Sequence, residues 1–269
     1  MKLIRWGLVV ACLGLGLLAA APETHDYPRQ TPAPTASSAP TATPSPLPVW
    51  DRAEELEEAV EVNGEVIGWL VVPGTEIDGP VTQSRDNQYY LTHNWKGERD
   101  LWGSYFGDYI NDFSSRETLS PNNVIYGHSY NREDPTLPGF TQLFAYKEIS
   151  FLRQNPCFYL YLSNGEELVF QVVGVFYTDT GFDYINPRPD REEKLDYYAQ
   201  VEKRNLYLLD GITFGPEDTL MTLSTCAYAY DTEKAGDQRF VVLGKLLEPG
   251  ALPLTLEIRK NPDPLGPES

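Results

Sequence analysis

Cysteine, at positions 12, 157 and 226, and histidine, at 25, 93 and 128, are the residues here best suited to covalent chemistry. A thiolate attacks a carbonyl carbon, and an imidazole gives or takes the proton that the attack requires. Together they point to nucleophilic acyl transfer. Cys226 closes Thr219-Leu220-Met221-Thr222-Leu223-Ser224-Thr225-Cys226, a β-branched and apolar run that leads through Ala227-Tyr228-Ala229-Tyr230 into a polar loop. A thiol at the junction of strand and loop is accessible, whereas Cys157, after Pro156 at the head of an apolar run, reads as a packed bystander. An exported protein can also join Cys157 and Cys226 as a disulfide, although their contrasting settings argue otherwise. His128 ends Asn123-Val124-Ile125-Tyr126-Gly127-His128, where a rigid strand delivers an imidazole to an open loop. His93, among aromatic neighbours, reads as a hydrogen-bonded structural histidine, and His25 lies beside a spacer.

Arg239 opens Arg239-Phe240-Val241-Val242-Leu243-Gly244-Lys245-Leu246. Taken alone it reads as a surface arginine on an edge strand. If its strand pairs antiparallel with the Cys226 strand, the guanidinium returns to the thiol, where it donates to a developing oxyanion. Thr225, Ser224 and Tyr228 flank the thiol and are the candidates for touching substrate. No spacing of His, Cys or Asp resembles a zinc or EF-hand site, and no Gly-rich nucleotide loop is visible, so neither metal nor cofactor is expected.

Composition narrows the partners. The 269 residues carry a formal charge of −18, which argues against nucleic acid, because a phosphate backbone needs clustered Lys and Arg. Hydrophobic content of 41% fits a globular protein, and seventeen tyrosines against two methionines lean toward β structure.

Residues 1–24 combine Lys2 and Arg5 with an apolar run, Gly7–Ala21, and form an export signal or a short N-terminal membrane anchor. Residues 25–49 are rich in Pro, Thr, Ser and Ala and form an extended spacer. The folded part spans 50–247. It opens with a helix over Asp51–Val62, with Asp51 as N-cap, and continues through strands at Val66–Val72, Gly103–Phe106, Asn123–Tyr126, Phe158–Leu162, Glu167–Thr178, Thr219–Thr225 and Arg239–Leu246. Asn164-Gly165 marks a hairpin turn. Further helices are expected over Asp190–Leu209 and within Phe140–Gln154. Many strands with a few inserted helices suggest a closed or nearly closed barrel. The Pro-rich tail, 248–269, reads as loosely ordered.

Thr222-Leu223-Ser224-Thr225-Cys226 resembles the Thr-Leu-x-Thr-Cys signature of sortases, and Asp237-Gln238-Arg239-Phe240-Val241-Val242 resembles the segment carrying their downstream arginine. Asn123–His128 resembles the segment of their histidine. Asn63–Leu70, Pro73–Asp78 and Asp86-Asn87-Gln88-Tyr89-Tyr90-Leu91 are similar to class B. The loop between Cys226 and Arg239 is longer than class B would suggest. The resemblance implies an eight-stranded sortase-type β-barrel with an N-terminal helical extension and an inserted helix before the cysteine strand.

It further implies a cysteine transpeptidase with Cys226, His128 and Arg239 as catalytic residues. Such an enzyme cleaves secreted proteins bearing a C-terminal sorting motif and passes the acyl group to a peptidoglycan precursor or another amine. It would work at the outer face of a bacterial plasma membrane, tethered through the N-terminal segment, or else secreted. Two alternatives remain beside it: a secreted cysteine peptidase that only hydrolyses, and a non-catalytic barrel that binds an extended peptide.

Overall fold

The computed structural model describes residues 51–130, 132–230 and 237–267; the export and spacer segments read over 1–49 lie outside them. Helix α1 (Ala53–Val62) opens the fold. Its N-cap is Arg52, not Asp51: the Arg52 carbonyl accepts the first helical bond, from the Leu56 N–H at 2.9 Å, while its guanidinium makes two hydrogen bonds of 2.9 and 2.6 Å to Asp78. Asp51 stands one residue further out and accepts a longer bond of 3.3 Å from the Ala53 N–H.

Eight strands then close a barrel. They are β1 (Val66–Val71), β2 (Asp78–Thr82), β3 (Tyr105–Gly107), β4 (Asn122–Tyr126), β5 (Cys157–Leu162), β6 (Glu167–Thr178), β8 (Leu220–Cys226) and β9 (Arg239–Leu246). Around the barrel they run β1-β2-β3-β4-β8-β9-β6-β5, and β5 pairs back onto β1. Gly165 takes φ +87° in the β5–β6 hairpin, a left-handed conformation that glycine adopts without a Cβ clash.

Strand β2 departs from the expected pattern. Asp78-Gly79-Pro80-Val81-Thr82 lacks apolar alternation and contains a proline, yet it pairs with β1 along its length. Pairing with β3 on its other side begins only at Val81, so the missing N–H of Pro80 removes no bond from that ladder.

Side chains along β8 and β9 divide between two cores. Met221, Leu223, Phe240 and Val242 fill the barrel together with Leu70, Ile125, Phe158 and Phe170. Leu220, Val241 and Leu243 point outward against a second cluster that includes Tyr197 and Val201 of helix α3 (Arg191–Arg204). Burial on both faces explains why these strands read as continuous apolar runs. Helix α3 begins at Asp190, whose carboxylate accepts from the N–H groups of Glu192 and Glu193, while Glu193 reaches back to the Asp190 N–H at 2.7 Å. This reciprocal cap fixes the start of the helix. The region expected as a second helix, Phe140–Gln154, is a 3₁₀ segment over Gly139–Lys147 followed by α2 (Ile149–Gln154).

The expected helix over Asp190–Leu209 ends at Arg204, and the chain turns into β7 (Tyr207–Asp210). The partner of β7 comes from the tail. Strand β10 (Glu257–Lys260) pairs antiparallel with it, so this part of the tail is docked rather than loose. Gln171 exchanges two bonds with Leu254, Arg153 donates to the Ile258 carbonyl, and Leu265 N–H reaches the Lys203 carbonyl. Ile258 is buried in the main core.

Ile258→Ala is therefore predicted to lower stability by about 2 kcal/mol, the low end for deleting a buried branched side chain. Urea unfolding followed by circular dichroism would show this as a lower midpoint at unchanged slope.

Candidate active site

Three strands converge on the upper end of β8. On one side β9 runs antiparallel to it and pairs Arg239 directly with Cys226. On the other side β4 runs parallel, with Tyr126 opposite Ser224. Two residues beyond Tyr126 the chain reaches His128, at the level of Cys226. Hydrogen bonds continue the pairing past the strand ends. Gly127 N–H donates to the Ser224 carbonyl at 3.3 Å, the Thr225 hydroxyl donates to the Gly127 carbonyl at 2.7 Å, and the Ser129 hydroxyl donates to the Cys226 carbonyl at 2.7 Å. Gly127 permits this course, since a Cβ there would stand 2.7 Å from the Phe140 ring.

The ring of His128 is held from outside the barrel. Its Nε2 lies 2.8 Å from the Leu91 carbonyl oxygen. A carbonyl only accepts, so Nε2 carries the proton in this bond and Nδ1 is the remaining nitrogen. Leu91 ends a 3₁₀ turn, Tyr89–Leu91, and at its start the N–H groups of Gln88, the capping residue, and Tyr89 donate to Asp86 at 2.8 and 2.9 Å. Those two bonds hold the Asp86 carboxyl below the usual range. The segment Asp86–Leu91 thus serves as a shelf for the imidazole.

Around the thiol, Tyr228 is exposed, and its phenol is pushed up first by burial and then by the neighbouring Cys226, with Arg239 opposing. Ser224 and Thr225 are enclosed. The Ser224 hydroxyl meets the Tyr184 hydroxyl at 2.9 Å, and that of Thr225 is used on Gly127. Of the three residues expected to touch substrate, Tyr228 alone is open to solvent, because the Ser224 hydroxyl is taken up by Tyr184 and that of Thr225 by the Gly127 carbonyl. Tyr184 is a residue that the sequence did not mark. It is buried, which raises its phenol, while Ser224 and Arg239 lower it. It ties the segment before α3 to the Cys226–Arg239 pair, a contact across 40 residues with no local signal.

The other candidates lie elsewhere. His93 stacks on Tyr89 at 4.1 Å and its Nδ1 meets the Tyr89 carbonyl at 2.8 Å, in keeping with a structural role. Asn122 and Asn123, which open β4, bind across to β8 and to the Tyr184 segment. Cys157 and Cys226 are both free thiols. The ladders set Cys157 level with Gln171, Lys245 and Leu220, six residues down β8 from Cys226, or about 20 Å at the strand rise. A disulfide between them is out of reach. Among the described residues no group of three His, Cys, Asp or Glu could hold a metal ion, and no helix is long and apolar enough to cross a membrane.

Burial pushes the Cys157 thiol up to about 12, so at pH 8 it holds almost no thiolate. In the folded protein iodoacetamide is predicted to modify Cys226 and to spare Cys157 until denaturant is added. Peptide mass spectrometry would check this, and equal labelling of both in native buffer would contradict it.

No protein-family model matches the chain. It is 36% identical over 195 residues to sortase B of Listeria monocytogenes serovar 1/2a, across 72% of this chain and 74% of that protein. It is 30% identical over 197 residues to sortase B of Staphylococcus aureus, across 72% and 75%. Its fold superposes on the crystal structure of Clostridium perfringens sortase B with a TM-score of 0.62 at 28% identity, covering 71% of this chain and 99% of that one. A barrel of the same kind and these identities along most of the domain lead to one conclusion: the chain belongs to the sortase B family.

Proposed function

We propose that this protein is a cysteine transpeptidase that cuts a sorting-type peptide bond and passes the acyl group to an amine. The observation that carries the reading is the direct pairing of Cys226 with Arg239, with His128 brought to the same level by the parallel β4. In this reading the Cys226 thiolate attacks the carbonyl carbon of the scissile bond. Arg239 and nearby backbone N–H groups donate to the oxyanion. His128 gives a proton to the departing nitrogen; with Nε2 held by Leu91, Nδ1 is the atom that gives it. The C–N bond breaks and a thioester on Cys226 remains. An incoming amine attacks that thioester and yields its proton to His128, forming a new C–N bond and restoring the thiolate. Each half-reaction is the reverse of the other in kind, so one set of groups serves both.

The exposed Tyr228 beside the thiol is proposed as a contact for the bound peptide. The acyl donors are proposed to be secreted proteins with a C-terminal sorting motif, and the acceptor an amine of a cell-wall precursor. Residues 1–24 are proposed to tether the enzyme at the outer face of the membrane, a placement supported by the basic-then-apolar pattern of that segment.

The test is intact-mass spectrometry of the full-length chain incubated with a pool of sorting-type peptides, with and without an amine. Wild type is predicted to gain a peptide-fragment adduct that Cys226→Ala does not form. Arg239→Ala is predicted to slow adduct formation about 10²- to 10³-fold, as loss of an oxyanion donor does. Adduct followed by water alone, whatever amine is added, would identify a hydrolytic peptidase instead. Peptide binding without any adduct would identify a binding barrel.

A further inference from the structure

His128 stands on a boundary. In barrel order β4 lies between β3 and β8. On the β8 side stand the thiol, Arg239 and, behind them, Tyr184. On the β3 side a cavity of about 380 Å³ opens beside the same imidazole, lined by Pro80, Trp95, Trp102, Tyr105, His128 and Tyr130 among others. The volume is in the range of small-ligand pockets. Its wall is aromatic, and none of its described lining residues carries a carboxylate, a lysine or an arginine.

One part of this wall is a stacked pair. Trp102 lies over Tyr130 with ring centroids 4.1 Å apart and planes 24° apart, and Trp102 remains 53% exposed. Tyr130 is anchored by its own N–H on the Thr141 hydroxyl at 2.9 Å. An indole half open to water, yet held in a fixed orientation by a neighbouring ring, presents a face that a ligand can cover at little ordering cost. A ring face of this kind attracts an ammonium group through its quadrupole and packs against a planar amide.

From this we infer that the Trp95–Trp102–Tyr130 cavity is the acceptor site, which seats a peptide ending in a primary amine and holds it against the Trp102–Tyr130 pair. The inference rests on the transpeptidase reading and deepens it. Two arguments assign this occupant rather than the acyl half of the substrate. The acyl half must place its carbonyl oxygen toward Arg239, which is on the far side of the thiol from β4. The nitrogen that leaves and the nitrogen that enters both exchange a proton with His128, so both occupy the His128 side. The cavity is a concave surface on that side. Its rings hold the cationic amine without the tight ion pair that a carboxylate would form; the ammonium proton passes to solvent before attack, and the second N–H proton, released as the C–N bond forms, goes to His128. In this site Trp102 and Tyr130 are positioning residues for the second half-reaction.

The experiment separates the two half-reactions in the full-length chain. With a peptide that acylates the enzyme, the partition between transfer product and hydrolysis product is measured against triglycine concentration, with lysine amide as a second acceptor. In Trp102→Ala acyl-enzyme still forms, and the half-saturating triglycine concentration is expected to rise at least tenfold. Trp102→Phe, which keeps an aromatic face, is expected to recover most of the loss. Circular dichroism establishes that each variant is folded; should Trp102→Ala fail that check, Tyr130→Leu takes its place. Equal amine saturation in wild type and the folded variant would overturn the inference and leave the transpeptidase reading standing. So would loss of saturation in Trp102→Phe as complete as in Trp102→Ala. No acyl-enzyme on wild type would instead sink the transpeptidase reading, and the inference with it.

Discussion

Strand β8 is hydrogen-bonded on both sides, to β4 in parallel and to β9 in antiparallel, and everything at the site depends on that double pairing. The antiparallel side is local: β9 follows β8 directly, so Arg239 comes back to Cys226 by the geometry of a strand pair with a long connecting loop. The parallel side is not local. His128 and Cys226 are separated by most of a barrel in sequence, and their levels match because Asn122 aligns with Leu220 and each later residue follows in step. A slip of one residue would turn every side chain of β4 to the opposite face. Alternation of Met221 and Leu223 inward against Thr222 and Ser224 outward, with Thr222 bonded to Asn122 at 2.8 Å, resists such a slip.

The site is also supported from outside the barrel, and the two supports differ in character. The imidazole leans on a backbone carbonyl, that of Leu91, at the end of a turn which Asp86 fixes by accepting two N–H groups. A carbonyl on a fixed turn orients the ring without adding a full charge beside it. The Cys226–Arg239 pair leans on a side chain, Tyr184, placed by the segment that leads into α3. Helix α3 therefore does two things: it covers the outward face of β8 and β9, and it anchors the loop that brings Tyr184 to the thiol.

Much of this was legible in the sequence, for reasons that can be stated residue by residue. Strands β6 and β9 begin and end where their apolar runs do, because both of their faces are buried and the pattern is continuous. The thiol, the imidazole and the guanidinium each close or open such a run, and that is where a barrel exposes its ends. The elements that were not legible depend on distant partners. β10 is Glu257-Ile258-Arg259-Lys260, one apolar residue among charges, and it is a strand because β7 supplies its ladder. β7 in turn reads as the end of α3 from its Leu and Tyr content alone. Tyr184 and the Leu91 carbonyl escaped notice for the same reason. A buried phenol among other aromatics has no distinguishing neighbour, and a backbone oxygen has no side chain to read.

The β7–β10 pairing gives the molecule an order of assembly. A growing chain can complete the barrel once β9 has been made, around residue 246. Strand β7, already some 40 residues behind, then still lacks its ladder partner until Lys260 has emerged. The last described residues also return toward the catalytic end: a Cβ on Gly266 would stand 2.9 Å from the ring of Tyr230, in the loop that follows Cys226. Tyr230, on the way out of the catalytic strand, thus gains this neighbour only once residue 266 has been made, well after the barrel strands themselves.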